Sequence, residues 1–513
     1  MIWVSQVYLY TMFVRKKRNI SGVISIQVID KSTGKYKLIK TIGSSADSNE
    51  LDRLYLEGLD YIKHFQGQQT IDFSGEDFKE TIKQSIRNIA IEGINLLLGK
   101  IYTEIGFDQI KNELLRPLVL IRLSHPASKL KTSRHLKRYF SIDIKEDRIY
   151  RYLDTLYKDH KEELQQISYN HTKKVLGGVI SVVFYDVTTI YFQIDDEDEL
   201  RKRGFSKEGK HQNPQIVLGL LVGPNGYPLA YEIHQGNKFE GHTMLPIIDA
   251  FKEKYDLDKL VVIADSGLLS TSNVEELQDK GYEFILGARI KNESDLVKDK
   301  IFALQLKDKS SKFIDKGDGL KLVVGYTENR AKKDRYNRER GLQKLEQRIK
   351  SGKLTKSSIN NRGYNKYLKL EGDVKICIDH ARYNQDAAWD GLKGYLTNTN
   401  LSKDEVINNY GQLWKIENAF RISKHDLKIR PIYHRLQQRI EAHITINFVA
   451  YKIYKELERQ LKIKQAEFGC EQAIDIAKTI YAVEIENPST GEVYKETLLL
   501  NDEQIQLAEL FGF

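Results

Sequence analysis

Cysteine is nearly absent from this chain. Cys377 and Cys470 are the only two in 513 residues; they stand far apart, and neither belongs to a CxxC pair. That argues against a disulfide framework or a structural zinc site and fits a reducing compartment. Long apolar runs are missing as well. The opening stretch "MIWVSQVYLYTMFVRKKR" is apolar first and basic second, the reverse of a secretory signal. It also falls short of the roughly 20 apolar residues a membrane-spanning helix needs. Nothing later is long enough either, so a cytoplasmic location and no membrane partner are expected. Internal repeats and low-complexity tracts are lacking, and no Cys/His pair reads as a nucleophile with its base.

What is present is the make-up of a globular chain, with 41% hydrophobic and 29% charged residues. At 513 residues it is too long for one simple core, and roughly three or four domains are expected. Lys+Arg outnumber Asp+Glu by 80 to 71, a net charge of +9. That balance admits a polyanionic partner, and it also describes many ordinary basic proteins.

Patterning divides the chain. From Arg15 to Gln66 it reads as a hairpin, "GVISIQVIDKSTGKYKLIKTIG", whose turn carries a glycine, then a helix from Ser48. A helical block follows, from about Glu76 to His171. Within it "SKLKTSRHLKRYF" and "EDRIYRYLDTLYK" are two amphipathic helices joined by "SIDIK". This is helix-turn-helix spacing, with Arg148, Arg151 and Tyr152 on the second helix able to face a groove. Two helices with a short link are more often simply part of a bundle.

The stretch from Val175 to Leu286 reads as an α/β arrangement. "GGVISVVFYDVTTIYFQ" is a strand, and two more flank the turn Gly223-Pro224-Asn225-Gly226. "GHTMLPIIDAFKEKY" has helical period, and "LDKLVVIADSGLLS" is an apolar strand ending in Asp265. Three antiparallel strands and then a helix-connected strand can return the fourth beside the first. From Lys291 to about Gly391 the chain is dense in both charge signs and helical in composition, and it reads as an insertion: an exposed helical hairpin or a basic surface. "GLKGYLTNTN" is strand again. "LSKDEVINNYGQLWKIENAFRISKHDLKIRP" reads as one long helix, with Ser402 and Glu405 as a capping box and Pro431 past its end. The tail holds an apolar helix, a further helix, a hairpin around "NPSTGE" and a short final helix.

Asp186 stands inside "VFYDVTTIYF", where a carboxylate is costly unless paired, hydrogen-bonded or bound to metal. Asp186 and Asp265 taken singly read as strand-end hydrogen-bond acceptors. Brought together by the expected topology, they repel unless a proton or a divalent cation intervenes, and hard oxygen ligands suit Mg²⁺ or Mn²⁺. On the long helix Tyr410, Leu413, Glu417, Arg421 and Lys424 recur at spacings of three and four, hence on one face. Glu417 is a candidate third ligand; a solvated Glu417–Arg421 pair explains the same pattern.

The set "FYDVTTIYF", "VIADSGLLS" and "YGQLWKIENAFRISK" resembles the bacterial insertion-sequence transposases of the Asp-Asp-Glu class. Within that class it is similar to the group with a Tyr-x2-Arg-x3-Glu-x6-Lys signature. Tyr410, Glu417 and Lys424 match at the right spacing; Leu413 stands where the signature has Arg, which puts one expected contact in doubt. "RGFSKEGKHQNPQIVLGLLV", "YTENRAKKDRYNRER", "AAWDGLKGYLTNTN" and "RPIYHR" extend the resemblance over nearly the whole chain, from about Met12. Residues 1–11 then read as an upstream-start extension.

The resemblance implies an α/β fold with a ribonuclease-H-like catalytic core and an insertion domain. The expected divisions are 1–74 (hairpin and helix), 75–174 (helical, DNA-binding), 175–290 (first part of the core), 291–388 (insertion), 389–465 (second part of the core) and 466–513 (C-terminal region). It implies cut-and-paste DNA transposition with two Mg²⁺ ions, Mn²⁺ substituting, held by Asp186, Asp265 and Glu417 as catalytic and metal-binding residues. Tyr410, Lys424 and Arg421 would lie along the DNA. Arg203, Lys207 and Lys210, with Arg201 and Lys202 in the same loop, are candidate backbone contacts. Trp389 reads first as a core tryptophan and second as a platform for an unpaired base. His211, His234 and His242 read as structural or DNA-facing, since Mg²⁺ disfavours imidazole. The expected partners are double-stranded DNA, at element ends and target, and a second copy of the chain in the DNA complex.

Two rivals stay open. "YDVTT" is also similar to the Asp-x-Thr nucleophile of phosphoaspartyl phosphatases, which further need a later Lys and a strand ending in paired acids; "DKGDGL" lacks the apolar strand before it. The other is a transposase-derived DNA-binding regulator without catalysis, against which the intact acid triad argues.

Overall fold

Alternation in "MFVRKKR" sets the start of the smaller of two compact units, Met1–Asn88 with Val483–Glu496. Met12 and Val14 point inward while Phe13 is exposed, as a strand with one buried face requires. The computed structural model describes residues 12–65, 76–206, 209–257, 259–352, 354–361, 363–371, 375–488 and 490–513. The proposed extension at 1–11 and Lys207 lie outside the described residues. Met12–Arg18, Ile24–Asp30 and Lys37–Ser45 form an antiparallel sheet, so the expected hairpin gains a leading strand. Gly34, at φ +79°, makes the turn. Helix Ser48–Phe65 follows, with the Asp47 carboxylate accepting the backbone N–H of Asn49 and Glu50. Its Leu51, Leu54 and Ile62 pack on Ile26 and Val28 of the sheet.

The larger unit, Ile89–Ala482 with Thr497–Phe513, is built on an eight-stranded mixed sheet. Across it the strands run Ser310–Gly317, Leu320–Tyr326, Leu392–Thr397, Glu283–Ala288, Val261–Ala264, Val182–Tyr191, Gln215–Val222 and Pro228–Gln235. The last three form the expected antiparallel meander. Asn225 at φ +65° and Gly226 at φ +78° close its second turn. Helix Met244–Tyr255 then crosses over, and Val261–Ala264 pairs parallel to Val182–Tyr191. Glu283–Ala288 continues the parallel run. Every residue of Gln215–Val222 is buried, because both sheet faces are covered.

One side is covered by helices Leu115–Ser124, Lys129–Phe140, Glu146–Asp159, Lys161–Val175 and Gln437–Ile463. The last is 27 residues long and buried along most of its length; Phe448 lies against Tyr231 with ring centroids 5.3 Å apart. The second and third of these match the expected helix–link–helix, and Ser128 caps the first of the two. Tyr152, expected to face a groove, is instead buried at 5% exposure: it falls on the apolar stripe that joins this helix to the core.

The charged interruption also departs from expectation. Its helix Glu328–Lys350 is there and largely exposed. Before it, however, Ser310–Gly317 and Leu320–Tyr326 add two strands to the main sheet through Leu392–Thr397. Ile314, Leu322 and Val324 give them an apolar face over helix Asp295–Ala303. "DKGDGL" is the turn between these two strands, with Asp318 and Gly319 at positive φ.

Candidate active site

Parallel pairing brings the two aspartates together. Register runs from Val182↔Val261 to Tyr185↔Ala264, so Asp186 and Asp265 occupy the next position on neighbouring strands. Asp186 is half-buried, and its Oδ1 accepts the N–H of Val187 at 2.7 Å. Asp265 is exposed, at the point where its strand ends and Ser266–Leu268 turns into the next helix. Carboxyl ends of parallel strands are where α/β sheets open a crevice.

Glu417 arrives by a different route than the sequence implied. The expected long helix is three pieces: Lys403–Gly411, Trp414–Arg421 and a wide turn Ile422–Asp426. Gly411 closes the first piece, where a residue without a side chain holds a helix poorly. The capping box is present, Glu405 N–H donating to Ser402 Oγ at 3.3 Å and Ser402 N–H to Glu405 Oε2 at 2.9 Å. Gln412 and Leu413 donate their N–H to carbonyls three residues back, Asn409 and Tyr410, so the α-helical bonding is interrupted between residues 410 and 417. Residues 410, 417 and 424 each reach a separate partner. Tyr410 donates its hydroxyl to Asp265 Oδ1 at 3.1 Å. Lys424 Nζ donates to Thr188 Oγ1 at 2.6 Å, two residues past Asp186. Glu417 lines a cavity of about 620 Å³ shared with Asp265 and Tyr410, and its helix packs on the Asp186 strand.

Leu413, at the position where the signature has Arg, is 5% exposed and opens the second helix. It serves the hydrophobic core, and the cations of the cavity come from elsewhere. Lys393 is the chief of them. Its Nζ lies 4.5 Å from the Tyr410 ring centroid. Burial and then Arg330 hold its pKa below the ordinary lysine range, while Asp265 and Glu417 pull the other way. Burial, then the Asp265 charge, pushes the Tyr410 hydroxyl up, so it stays a donor. Gly287 makes the Tyr410 approach feasible: a Cβ there would stand 2.4 Å from the Tyr410 hydroxyl.

Lys393, Thr188 and Gly287 escaped the sequence reading. Lys393 carried the same signal as Asp186, a charge inside a strand. Gly287 carried none.

The other expected residues scatter. Arg421 donates to Asn418 Oδ1 at 2.8 Å and is exposed. Trp389 lines the cavity and packs on Phe302 with ring centroids 4.6 Å apart. Arg203 donates to the carbonyls of Asp195 at 2.6 Å and Gln212 at 2.9 Å, closing its own loop, and Arg201 pairs with Asp198 at 2.6 Å. Lys210 is exposed. Arg148 pairs with Glu113 at 2.9 Å, and Arg151 is exposed. None of Arg148, Arg151, Arg203 and Lys210 lines the cavity. His211 accepts the N–H of Ser206 at 3.1 Å, and burial lowers the His234 pKa to about 4.

Carboxylates without a soft donor suit a hard divalent cation. Among the described residues, no three His, Cys, Asp or Glu side chains stand close enough to hold one ion.

These features define a mixed α/β protein with one acid inside a strand and another just past the end of the parallel strand beside it. Residues 177–453, more than half the chain, match the family model described as transposase DDE domain, and the chain belongs to that family. Solved structures similar to it include the piggyBac transposase in its synaptic complex with hairpin DNA, at 10% identity over 78% of this chain and 79% of that one, TM-score 0.37. Another is the Mos1 transposase in its paired-end complex with the left transposon end, at 11% identity over 34% of this chain and 58% of that one, TM-score 0.16. No curated protein matches. Among the described residues no helix is long and apolar enough to cross a membrane.

Proposed function

We propose that this chain is a DNA transposase of the insertion-sequence type. On this reading a ribonuclease-H-like core cleaves phosphodiesters at the ends of a mobile element and joins them to target DNA, in a cut-and-paste reaction by a dimer on DNA. The observation that carries it is the parallel register that puts Asp186 and Asp265 at one position on adjoining strands, with Glu417 in the cavity of Asp265.

Asp186, Asp265 and Glu417 would hold two Mg²⁺ ions, Asp186 shared, and Mn²⁺ would substitute. Such ions, when bound, activate a water or 3′-hydroxyl and stabilise the leaving oxygen. Two carboxylates per ion suffice, because Mg²⁺ keeps waters and takes phosphate oxygens for the rest. Tyr410 fixes the Asp265 carboxylate by its hydrogen bond. Lys393 sets a positive charge against Asp265 and Glu417, where a phosphate would approach. Lys424, held by Thr188, places a second cation beside the Asp186 strand.

The test is Mg²⁺-dependent nicking of a supercoiled plasmid carrying element ends. Asp186→Ala and Glu417→Gln abolish nicking and leave DNA binding intact. Full cleavage by either variant overturns the assignment.

A further inference from the structure

The helical layer holds a second cavity, of about 320 Å³, between the end of helix Leu115–Ser124, the start of helix Lys129–Phe140 and the segment 428–434. Its charged lining residues are of one sign. Arg122, Lys129, Lys131, Lys428 and Arg430 line it, and no aspartate or glutamate does. The segment 428–434 holds all but the last residue of "RPIYHR", a stretch that the active-site geometry leaves unused.

Lys129 is the informative residue. It is 4% exposed, lines the cavity, and makes no hydrogen bond or ion pair with any described residue. A buried ammonium without a counter-charge is costly. Arg122 beside it is equally buried, and its guanidinium reaches only two backbone carbonyls, Ala127 at 3.3 Å and Lys428 at 3.5 Å. Asp154, the carboxylate that acts on His434, is taken by Arg439 at 2.7 and 2.8 Å and by Gln438 at 3.1 Å. The start of the 12-residue helix adds to this: Ser128 caps it, and Ser128 to Lys131, its first turn, line the same cavity, which sets the positive end of the helix dipole against it.

A buried lysine, a buried arginine and a helix start converge on a ligand with several acceptor oxygens and concentrated negative charge. We propose that this cavity is a phosphate site that takes a backbone phosphodiester of nucleic acid, with Lys129 and Arg122 at its floor. The rim favours a polymer over a free ion, because Lys131, Lys428 and Tyr433 are exposed and Tyr433 offers an open ring at 69% exposure. The nucleic-acid half of the proposal rests on the function proposed above; the phosphate half does not.

Two arms test it on the full chain. In the first, Tm is read against inorganic phosphate, with chloride at matched ionic strength as reference. Phosphate raises the wild-type Tm, and Lys129→Met and the surface change Lys131→Gln weaken the rise. In the second, binding of a short fluorescent duplex is followed against salt. Lys129→Met flattens the slope of log K on log salt by about one, the share of one phosphate contact. A wild-type Tm indifferent to phosphate overturns the site without any variant, so a misfolded Lys129→Met does not shield it. A phosphate response lost in the variants with an unchanged salt slope overturns the nucleic-acid assignment in favour of free phosphate. A wild type that binds no duplex overturns that assignment together with the proposed function, while the phosphate arm still decides the cavity.

Discussion

Tyr410→Phe removes a single oxygen from the candidate site, and its effect can be worked from the geometry. Tyr410 is 6% exposed and donates to Asp265 at 3.1 Å. Its ring also lies against Tyr395, centroids 4.8 Å apart, and under Lys393 Nζ at 4.5 Å. Phenylalanine keeps both ring contacts, so only the hydroxyl and its bond are lost. The bond to Asp265 is charge-assisted and contributes about 1.5–3 kcal/mol. If its role is to orient the carboxylate in the reaction, cleavage slows by roughly ten- to a hundredfold, at about 1.4 kcal/mol per tenfold. Gly287→Ala attacks the same bond from below, its Cβ 2.4 Å from the hydroxyl and 2.9 Å from Ser266 N. On the Tyr410→Phe background the first collision is gone, so Gly287→Ala does less harm there than alone. Single-turnover nicking reads the rate, and duplex binding and Tm control for docking and folding. A Tyr410→Phe enzyme at the wild-type rate, or strictly additive effects of the two changes, refutes the positioning role.

Three further outcomes follow from local structure. Ser402→Ala breaks the capping box of the helix bearing Tyr410 and lowers stability by about 1 kcal/mol in a denaturant melt. Burial alone would raise the Asp386 carboxyl, but Lys366, Tyr367 and Lys291 outweigh it and hold it at about 2. Its folded pKa is thus depressed, so its contribution of about 2 kcal/mol is present above pH ~4 and is lost as pH falls toward ~2. Asp386→Asn abolishes that part of the acid sensitivity in melts compared across this window. Trp389→Ala strips the packing on Phe302 and lowers stability by about 3 kcal/mol, the lower end for a large aromatic, as befits a half-buried ring.

The meander and its crossover could be read from the sequence because each strand is a short β-branched run and each break carries glycine or a cap. The same reasoning put Asp186 inside the first strand and Asp265 at the end of the fourth, where a charge beside apolar residues is conspicuous. It failed at the helix carrying Glu417: a period of three and four continues through Gly411–Leu413, and periodicity does not register an interruption of the backbone bonding. It failed again at residues 310–326, where high charge hid two strands whose inward Ile314, Leu322 and Val324 complete the sheet. The buried Tyr152 and the loop-closing Arg203 show the same limit, because sequence gives residue type and spacing but not what else stands within reach. Lys129 and Arg122 drew no attention for that reason; each is an ordinary helix residue until the fold buries it.

The central claim is that three acids from separate segments act on one pair of cations at a DNA end. A structure of the chain bound to an element end with Mn²⁺, read by anomalous scattering, tests it most directly. The account predicts two manganese peaks bridged by Asp186, one completed by Asp265 and the other by Glu417, with a phosphate oxygen between them. Manganese bound elsewhere, or a DNA end seated away from Asp186 and Asp265, contradicts it.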